Sequence, residues 1–572
     1  MKNKELADLF GKMADILEFK GENPFKISAY RKASRIIGDL TEGIEEITKQ
    51  GGLKNISGIG EGMAQKIVEY LEKGKISKFE EVRKGVSDEL IAMMEIPGMG
   101  PKTLSMLHKE KGIGNLSQLE RALENGSLLG LFGMGEKKIE NIKRGIQLLK
   151  QSKGRMNLGV AFPVAKRIAE ALRQKTGSKK IEWAGSLRRM KENIGDIDIL
   201  ATGPDKEKII QAFVRLPEVK EVLASGETKA SVIVEGGTQI DLRVVEEDSY
   251  GAALQYFTGS KGHNIHLRGI AKAKGIKINE YGVFKGEKKI GGKEENEVYR
   301  SLGIEWIEPE LREDRGEIEA AQKGRLPKLV EDSEIKGDLH VHSKWSDGTS
   351  SIEEVARSAQ KKGYQYVAIC DHSQSLRIAH GLNETRLLKQ IEEIDRINEK
   401  LKGFQILKGT EVDILTDGKI DHPDKVLQKL DYVVAAVHSG FKQEKEKMTK
   451  RIVRALENPL VHCLAHPTGR LLGARAPYEV DIDEVMETAK KYGKLLEINA
   501  TFERLDLDDI HCMKAKEMGI RMAIGTDSHH PDQLWMMSLG VAVARRGWLE
   551  TKDVLNTLSL KEILKWSRSY RD

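Results

Sequence analysis

The sequence predicts a multidomain chain with an α-helical N-terminal region, an α+β middle and a C-terminal barrel of β/α units. Three observations predict it. A Gly-apolar-Gly pattern recurs three times before residue 143. Three aspartates then fall on two strand-like runs between residues 196 and 241. Beyond residue 336, seven apolar runs alternate with helical segments, and six of them carry a histidine or an acidic residue at or next to their end. A chain of 572 residues is also too long for one core.

Composition sets the outer bounds. Hydrophobic residues make up 39% and charged residues 32% of the chain, an ordinary soluble balance. No apolar run reaches the roughly 18 residues of a membrane span, and the start MKNKELADLFGK lacks the apolar core of a secretory leader. Cys370, Cys463 and Cys512 form no CxxC and no disulfide framework, so a cytoplasmic protein with no membrane partner is expected. Residues 1–330 carry 57 Lys+Arg against 49 Asp+Glu, and the remainder carries 37 against 39. Eleven of the 14 histidines lie beyond residue 335. A mildly basic front and a histidine-rich rear suggest two separate jobs.

The front repeats one device: ISGIGEGMAQKI (56–67), IPGMGPKTLSML (96–107) and LFGMGEKKIENI (131–142). Two glycines flank one apolar residue, which permits a tight turn at positive φ while the apolar side chain anchors it in a core. The helix that follows offers free amides and the positive end of its dipole, a natural partner for a backbone phosphate. Gly58, Gly60, Gly98, Gly100, Gly133 and Gly135 are therefore candidate DNA-binding positions, with Lys66, Lys102 and Lys137 or Lys138 in the first turns. One copy alone reads equally as a plain helical hairpin; three copies argue against that. They resemble helix-hairpin-helix DNA-binding motifs.

In the middle, GDIDIL places Asp196 and Asp198 two apart on one strand face, and TQIDLRVV adds Asp241 among the same apolar neighbours. Like charges so close repel unless cations compensate them, and hard Mg²⁺ prefers such oxygens. Three carboxylates can hold two metals about 4 Å apart, which suits phosphoryl transfer. Upstream, Gly185, Ser186, Arg188 and Arg189 offer amides, a hydroxyl and guanidinium groups to a triphosphate.

Together with YFTGSKGHNIHLRGIAKAKGIKINEYGVF (256–284) and ELREDRGEIEAA (311–321), these motifs resemble the catalytic core of X-family DNA polymerases over residues 1 to about 325. The resemblance implies a nucleotidyltransferase palm and a thumb, with Asp196, Asp198 and Asp241 as catalytic ligands of Mg²⁺ or Mn²⁺. By the same resemblance Gly185, Ser186 and Arg189 hold the incoming deoxynucleoside triphosphate. Tyr256, Phe257 and Gly259 line its sugar pocket, and Asn264 and Arg268 meet the nascent base pair and template. Two positions depart from the animal pattern: Gln239 replaces an arginine and Gly62 a helper lysine. Lys66 matches the family's Schiff-base lysine for 5′-deoxyribose phosphate removal, with Tyr30 and Lys26 also matching. A lysine near DNA reads as a phosphate clamp as readily as a nucleophile.

The rear runs are DLHVH, YVAICDH, ILKGTEV, YVVAAVH, CLAH, KLLEIN and MAIGTDSH. In a barrel of parallel strands the C-terminal strand ends converge on one rim, where sites form. His340, His342, His372, Glu411, His438, His466, Asp527 and His529 all fall at such ends. Mixed imidazole and carboxylate donors suit Zn²⁺, Mn²⁺ or Fe²⁺. The set resembles the PHP (polymerase and histidinol phosphatase) domain over residues 336–570, a distorted seven-stranded (β/α)7 barrel with three divalent ions. The resemblance assigns His340, His342, Glu411 and Asp527 to one ion, Glu411, His438 and His466 to a second, and Asp347, His372 and His529 to the third. Arg470 and Arg475 read equally as DNA phosphate grips or surface charges.

The expected domains are a helical, lyase-like DNA-binding domain (1–85), a fingers-like helical domain (86–150), palm (151–245), thumb (246–320), linker (321–335) and PHP phosphoesterase (336–572). The function that follows is a monomeric polymerase filling gapped double-stranded DNA in base excision repair. Its fused 3′→5′ exonuclease would add abasic-site endonuclease or 3′-phosphatase activity. An inert structural barrel, a barrel acting on small phosphate esters, and a nucleotidyltransferase for another acceptor remain as alternatives.

Overall fold

Each glycine-pair turn is fastened by the apolar residue between its glycines. Ile59, Met99 and Met134 are all buried in one helical core with Leu6, Phe10, Met13, Leu104 and Leu107. Gly58 and Gly133 adopt positive φ, at 96° and 74°. The computed structural model describes residues 2–568 apart from 39–43, 50, 57, 95, 97–98, 132, 137, 141, 144–145, 147–154 and 236. Candidate Gly98 and Lys137 lie outside the described residues. The chain divides into two units: Met1–Lys153 with Gly473–Arg475, and Gly154–Leu472 with Ala476–Asp572.

The first unit is helical. Helices α1 (Asn3–Phe19) and α2 (Pro24–Gly38) pack as an antiparallel pair, and α3 (Glu61–Lys73) and α4 (Pro101–Lys111) follow the first two glycine turns. Gly60 and Gly100 are the N-cap residues of α3 and α4, and no side chain caps either helix. Their leading amides are therefore left for an external acceptor.

In the second unit, helix α5 (Leu158–Thr176) leads into a five-stranded sheet. Its strands are β1 (Lys180–Trp183), β2 (Ile197–Thr202), β3 (Val219–Ser225), β4 (Lys229–Val234) and β5 (Gln239–Val245), in the order β1-β2-β5-β4-β3. Only the β2–β5 pair is parallel. Along β5 the period of two sends Ile240, Leu242 and Val244 into the core and leaves Gln239, Asp241 and Arg243 on the other face. A one-turn helix α6 (Gly185–Arg188) follows β1, and helices α7 (Tyr250–Thr258) and α8 (Lys261–Ala273) follow β5. Three short antiparallel strands, β6 (Ile276–Asn279), β7 (Gly282–Lys285) and β8 (Lys288–Gly291), and helix α9 (Glu295–Ser301) complete this half.

The barrel strands are β9 (Gly337–Val341), β10 (Tyr366–Ile369), β11 (Gln405–Asp413), β12 (Tyr432–Ala436), β13 (Cys463–Leu464), β14 (Leu495–Asn499) and β15 (Met522–Gly525). They correspond to the seven runs read from sequence. All neighbours are parallel and in chain order. A Val341–Ser528 bridge and the Asp527 amide donating to the His340 carbonyl oxygen (2.8 Å) draw the last strand to the first. Distortion shows in strand length, from nine residues in β11 to two in β13. Alternation sorts Tyr366 and Ala368 to one apolar cluster and Val367 and Ile369 to another, as expected for strands buried on both faces.

Palm-like sheet and barrel share one core. Gly159 on α5 leaves no room for a side chain, since a Cβ there would sit 2.2 Å from the Phe502 Cβ. The stretch 321–335 is fastened to the barrel: the Val330 amide donates to the Leu549 carbonyl oxygen, and Arg545 donates to the Val330 carbonyl oxygen. Arg545 sits on helix α10 (Met537–Arg546), which runs between the two halves of this unit.

Candidate active sites

Asp198 on β2 and Asp241 on β5 occupy the same register of adjacent parallel strands, so their side chains stand abreast. Asp196 precedes β2 and is exposed. Burial, together with Asp196 and Asp241, pushes the Asp198 carboxyl up to about 6. Asp241 is held below its usual value despite burial, because Ser231, Gln239 and Lys229 donate to it or neutralise it. Gln239 Nε2 donates to Asp241 Oδ1 at 3.1 Å and Lys229 Nζ lies 3.5 Å from Oδ2. The glutamine that replaces the family arginine thus serves the third aspartate as a neutral donor.

Gly185 approaches this cluster closely. Its φ is +61°, and a Cβ there would lie 2.9 Å from Asp198 Oδ2, so only glycine brings the α6 turn beside the carboxylates. The two arginines of that turn part company. Arg188 is bidentate to Glu295 (2.7 and 2.9 Å) and also donates to Thr258, so it is a strut between α6 and α9. Arg189 donates from Nε to Glu313 Oε1 (3.0 Å) and from Nη1 to the Thr258 carbonyl oxygen. Gly259 has φ +70°, and a Cβ there would be 3.2 Å from Arg189 Nη1. Tyr256 and Phe257 meet edge to face at 5.2 Å, with the Arg243 guanidinium 4.7 Å from the Phe257 ring. Asn264 Nδ2 donates to the Tyr256 carbonyl oxygen (2.8 Å) and Arg268 Nε to the Asn264 carbonyl oxygen (3.2 Å).

The barrel mouth gathers the other set. Among the described residues, donor atoms within 4.8 Å of one another form three groups: His342, Asp347, His372 and His529; His340, His342 and Asp527; and His372, Glu411 and His438. His466 Nε2 adds a further imidazole to Glu411, at 2.9 Å from Oε1. This partition differs from the sequence-based one in that His342 stands between two groups and His372 also faces Glu411. Among the described residues the palm carboxylates form no group that tight.

Several contacts indicate cation ligation rather than hydrogen bonding. The His340 and His342 Nε2 atoms face each other at 3.2 Å. His372 Nδ1 and Glu411 Oε2 lie 2.8 Å apart, yet both are buried without an aligned hydrogen-bond partner, as is His342 Nδ1. Buried polar atoms are seldom left so. Divalent cations therefore fit this donor set. Further carboxylates orient the imidazoles: Glu497 Oε1 takes His340 Nδ1 at 2.6 Å and Asp413 Oδ1 takes His438 Nδ1 at 2.8 Å, leaving each Nε2 for the mouth. Burial disfavours charge on His340 and on His438. Glu497 and Glu411 nevertheless hold His340 well above its usual range, and Glu411 and Asp413 raise His438 to about 9.

In the helical unit, Lys66 Nζ donates to the Gly62 carbonyl oxygen (2.7 Å) and lies 5.9 Å from the centre of the buried Tyr30 ring. Burial and then Lys78 lower its pKa. Lys102 sits 3.6 Å from Glu18, and Lys138 donates to Thr103 (2.8 Å).

Family models match on both sides of this architecture: a helix-hairpin-helix domain (1–76), a SAM-like helix-hairpin-helix tandem (88–147), the DNA polymerase beta thumb (253–313) and the PHP domain (338–501). The DNA polymerase/3'-5' exonuclease PolX of Bacillus subtilis (strain 168) is 43% identical over 568 residues, spanning 98% of this chain and 99% of that protein. The chain is an X-family DNA polymerase with a PHP domain. Partial relatives match either half. A probable phosphatase of Caldanaerobacter subterraneus subsp. tengcongensis is 37% identical over 203 residues (34% of this chain, 75% of that protein). DNA polymerase lambda of Arabidopsis thaliana is 28% identical over 347 residues (54% and 62%).

For this X-family chain, one of the two arginines read as equally phosphate grip or surface charge proves to be neither. Arg470 is buried and donates to the Arg504 and Leu505 carbonyl oxygens and to Glu192 across the palm (2.6 Å). Arg504, unremarked in the sequence, is the cation beside the mouth: its Nε is 3.9 Å from Asp527 Oδ2 and its buried Nη1 has no partner. Glu497 and Asp413 were legible only in part. Asp413 stands two residues beyond Glu411, hence on the same strand face, and Glu497 lies in the run KLLEIN. Among the described residues no helix is long and apolar enough to cross a membrane.

Proposed function

We propose that this chain fills short gaps in duplex DNA during repair, including base excision repair, and trims 3′ ends with its barrel. Abasic-site cleavage and 3′-phosphate removal are further reactions open to the same mouth. One observation supports the reading: Asp198 and Asp241, abreast beside the Gly185 turn, and a barrel mouth lined by grouped histidines and carboxylates occur in the same unit. The domains are assigned as 1–85, 86–150, 151–245, 246–320, 321–335 and 336–572.

Asp196, Asp198 and Asp241 would hold Mg²⁺ or Mn²⁺. Gly185, Ser186 and Arg189 take the triphosphate, while Tyr256, Phe257 and Gly259 bound the sugar, with backbone too close for a ribose hydroxyl. Asn264 and Arg268 face the nascent pair. At the barrel, His340, His342, Asp347, His372, Glu411, His438, His466, Asp527 and His529 would hold three ions drawn from Zn²⁺, Mn²⁺ and Fe²⁺. Bound cations at either centre supply an ionised oxygen nucleophile and neutralise charge on the phosphate. Arg504 is placed to meet the phosphate beside Asp527. Gly58, Gly60, Gly98, Gly100, Gly133 and Gly135 direct helix amides at the DNA backbone. Lys66 is a candidate lyase nucleophile, its lowered pKa favouring the free amine. The chain is read as a cytoplasmic monomer.

A one-nucleotide gap with a labelled primer and a 5′-phosphate tests both halves. Asp198→Asn should abolish extension and spare shortening, and His342→Ala the reverse. A barrel that hydrolyses a small phosphomonoester but leaves the primer intact would overturn the exonuclease assignment.

A further inference from the structure

We infer that the barrel completes the polymerase's nucleotide site: Arg546, at the end of barrel helix α10, is a positioning residue for Arg189. The inference rests on Arg189 as the triphosphate residue. Arg546 is buried, and its Nη1 donates both to the Arg189 carbonyl oxygen (2.7 Å) and to Glu313 Oε1 (3.1 Å). That same Glu313 oxygen accepts from Arg189 Nε at 3.0 Å. Arg546 Nη2 is anchored to Asp509 Oδ2 (2.5 Å), which also accepts from Arg315 Nη1 (3.0 Å), so the fork cannot swing freely.

Charge makes the arrangement more than a tie. Arg189, Lys191, Arg546 and Arg315 meet only Glu313 and Asp509, with Lys191 Nζ 4.0 Å from Glu313. Glu313 is nine-tenths buried, where Coulomb interactions are strong. While Arg546 shares its charge, Arg189 keeps positive potential for a polyphosphate. Without Arg546, Glu313 would fall back on Arg189 and compete with the incoming nucleotide. With Nε and Nη1 of Arg189 held by Glu313 and the Thr258 carbonyl oxygen, Nη2 is the nitrogen left to donate to the ligand.

The test uses the full chain and two assays: the KM for the nucleotide complementary to a one-nucleotide gap, and 3′ trimming of a duplex end. Arg546→Ala should raise the nucleotide KM about tenfold, lower kcat less, and leave trimming unchanged. Adding Glu313→Gln to Arg546→Ala should restore the KM, because the competing charge is gone; loss of simple packing would not be rescued this way. Arg546→Lys, which keeps charge without the fork, should lie between. If Arg546→Ala loses trimming too, the fold is damaged and Arg546→Lys decides: a raised KM with full trimming supports the inference, an unchanged KM overturns it. An unchanged KM in Arg546→Ala overturns it outright, provided Arg189→Ala raises the KM. An unchanged KM in Arg189→Ala would instead remove the nucleotide-site reading itself.

Discussion

Glu295→Gln would show how much a buried ion triad holds the polymerase half together. Glu295 accepts from Arg188 Nη1 and Nη2 (2.7 and 2.9 Å), Arg312 Nη1 (2.6 Å) and Trp306 Nε1 (3.1 Å). Arg312 is fully buried, and its Nη2 already lacks a partner. Removing the carboxylate leaves two guanidinium groups facing a neutral amide in low dielectric, a loss of about 3–5 kcal/mol. For the unit Gly154–Leu472 with Ala476–Asp572 that lowers the melting temperature by about 3–6 °C. The pH dependence carries a sign. Burial would raise the Glu295 pKa, but Arg312 and Arg188 outweigh it and hold it far below the ordinary 4.5. A carboxylate so depressed contributes stability that is fully present above pH 4.5 and is lost as pH falls towards its folded-state value. Thermal unfolding of parent and Glu295→Gln between pH 7 and pH 3 should therefore converge on acidification. A gap of under about 2 °C at pH 7, or one that stays constant with pH, would refute the reasoning.

Four shorter expectations follow. Because the Asp198 carboxyl is raised to about 6, Mn²⁺ must displace a proton below that pH. Its affinity at the palm, read by electron paramagnetic resonance in a barrel-disabled variant, should fall as pH drops through 6 and level off above. Glu411→Gln should cut 3′ trimming by about a hundredfold or more and lower the metal content found by elemental analysis, with gap filling retained. Gly159→Ala forces a methyl group into Phe502 and should cost about 1–3 kcal/mol of stability in chemical unfolding. Lys66→Ala should abolish borohydride trapping of a 5′-deoxyribose phosphate end while one-nucleotide insertion persists.

The sequence and the structure agree most closely where a signal is local. Each of the seven barrel strands overlaps the apolar run read for it. The middle residue of every glycine pair is buried, because a turn between two glycines can be held only by what lies between them. Asp198 and Asp241 were legible as strand positions because an apolar neighbour on each side fixes which way a strand side chain points, whereas Asp196, read onto the same strand face, precedes β2. The charged residues were a different matter. Arg188 and Arg189 are adjacent in the chain, yet one is a strut to Glu295 and the other lies beside Gly259. Arg470 stands in a loop near His466 and read equally as a phosphate grip or a surface charge, whereas its partners are Glu192 and the backbone around Leu505.

Sequence alone determined the elements, the metal-binding residue types and the two kinds of chemistry, since side-chain periodicity and donor chemistry act over a few residues. Tertiary structure decided the rest: which imidazole nitrogen faces the barrel mouth, which arginine is tied to Glu295, and that a barrel residue 357 positions away holds the carbonyl oxygen of Arg189. The physical reason is that a charge's role depends on its burial and its partner, and in a folded chain both come from distant segments.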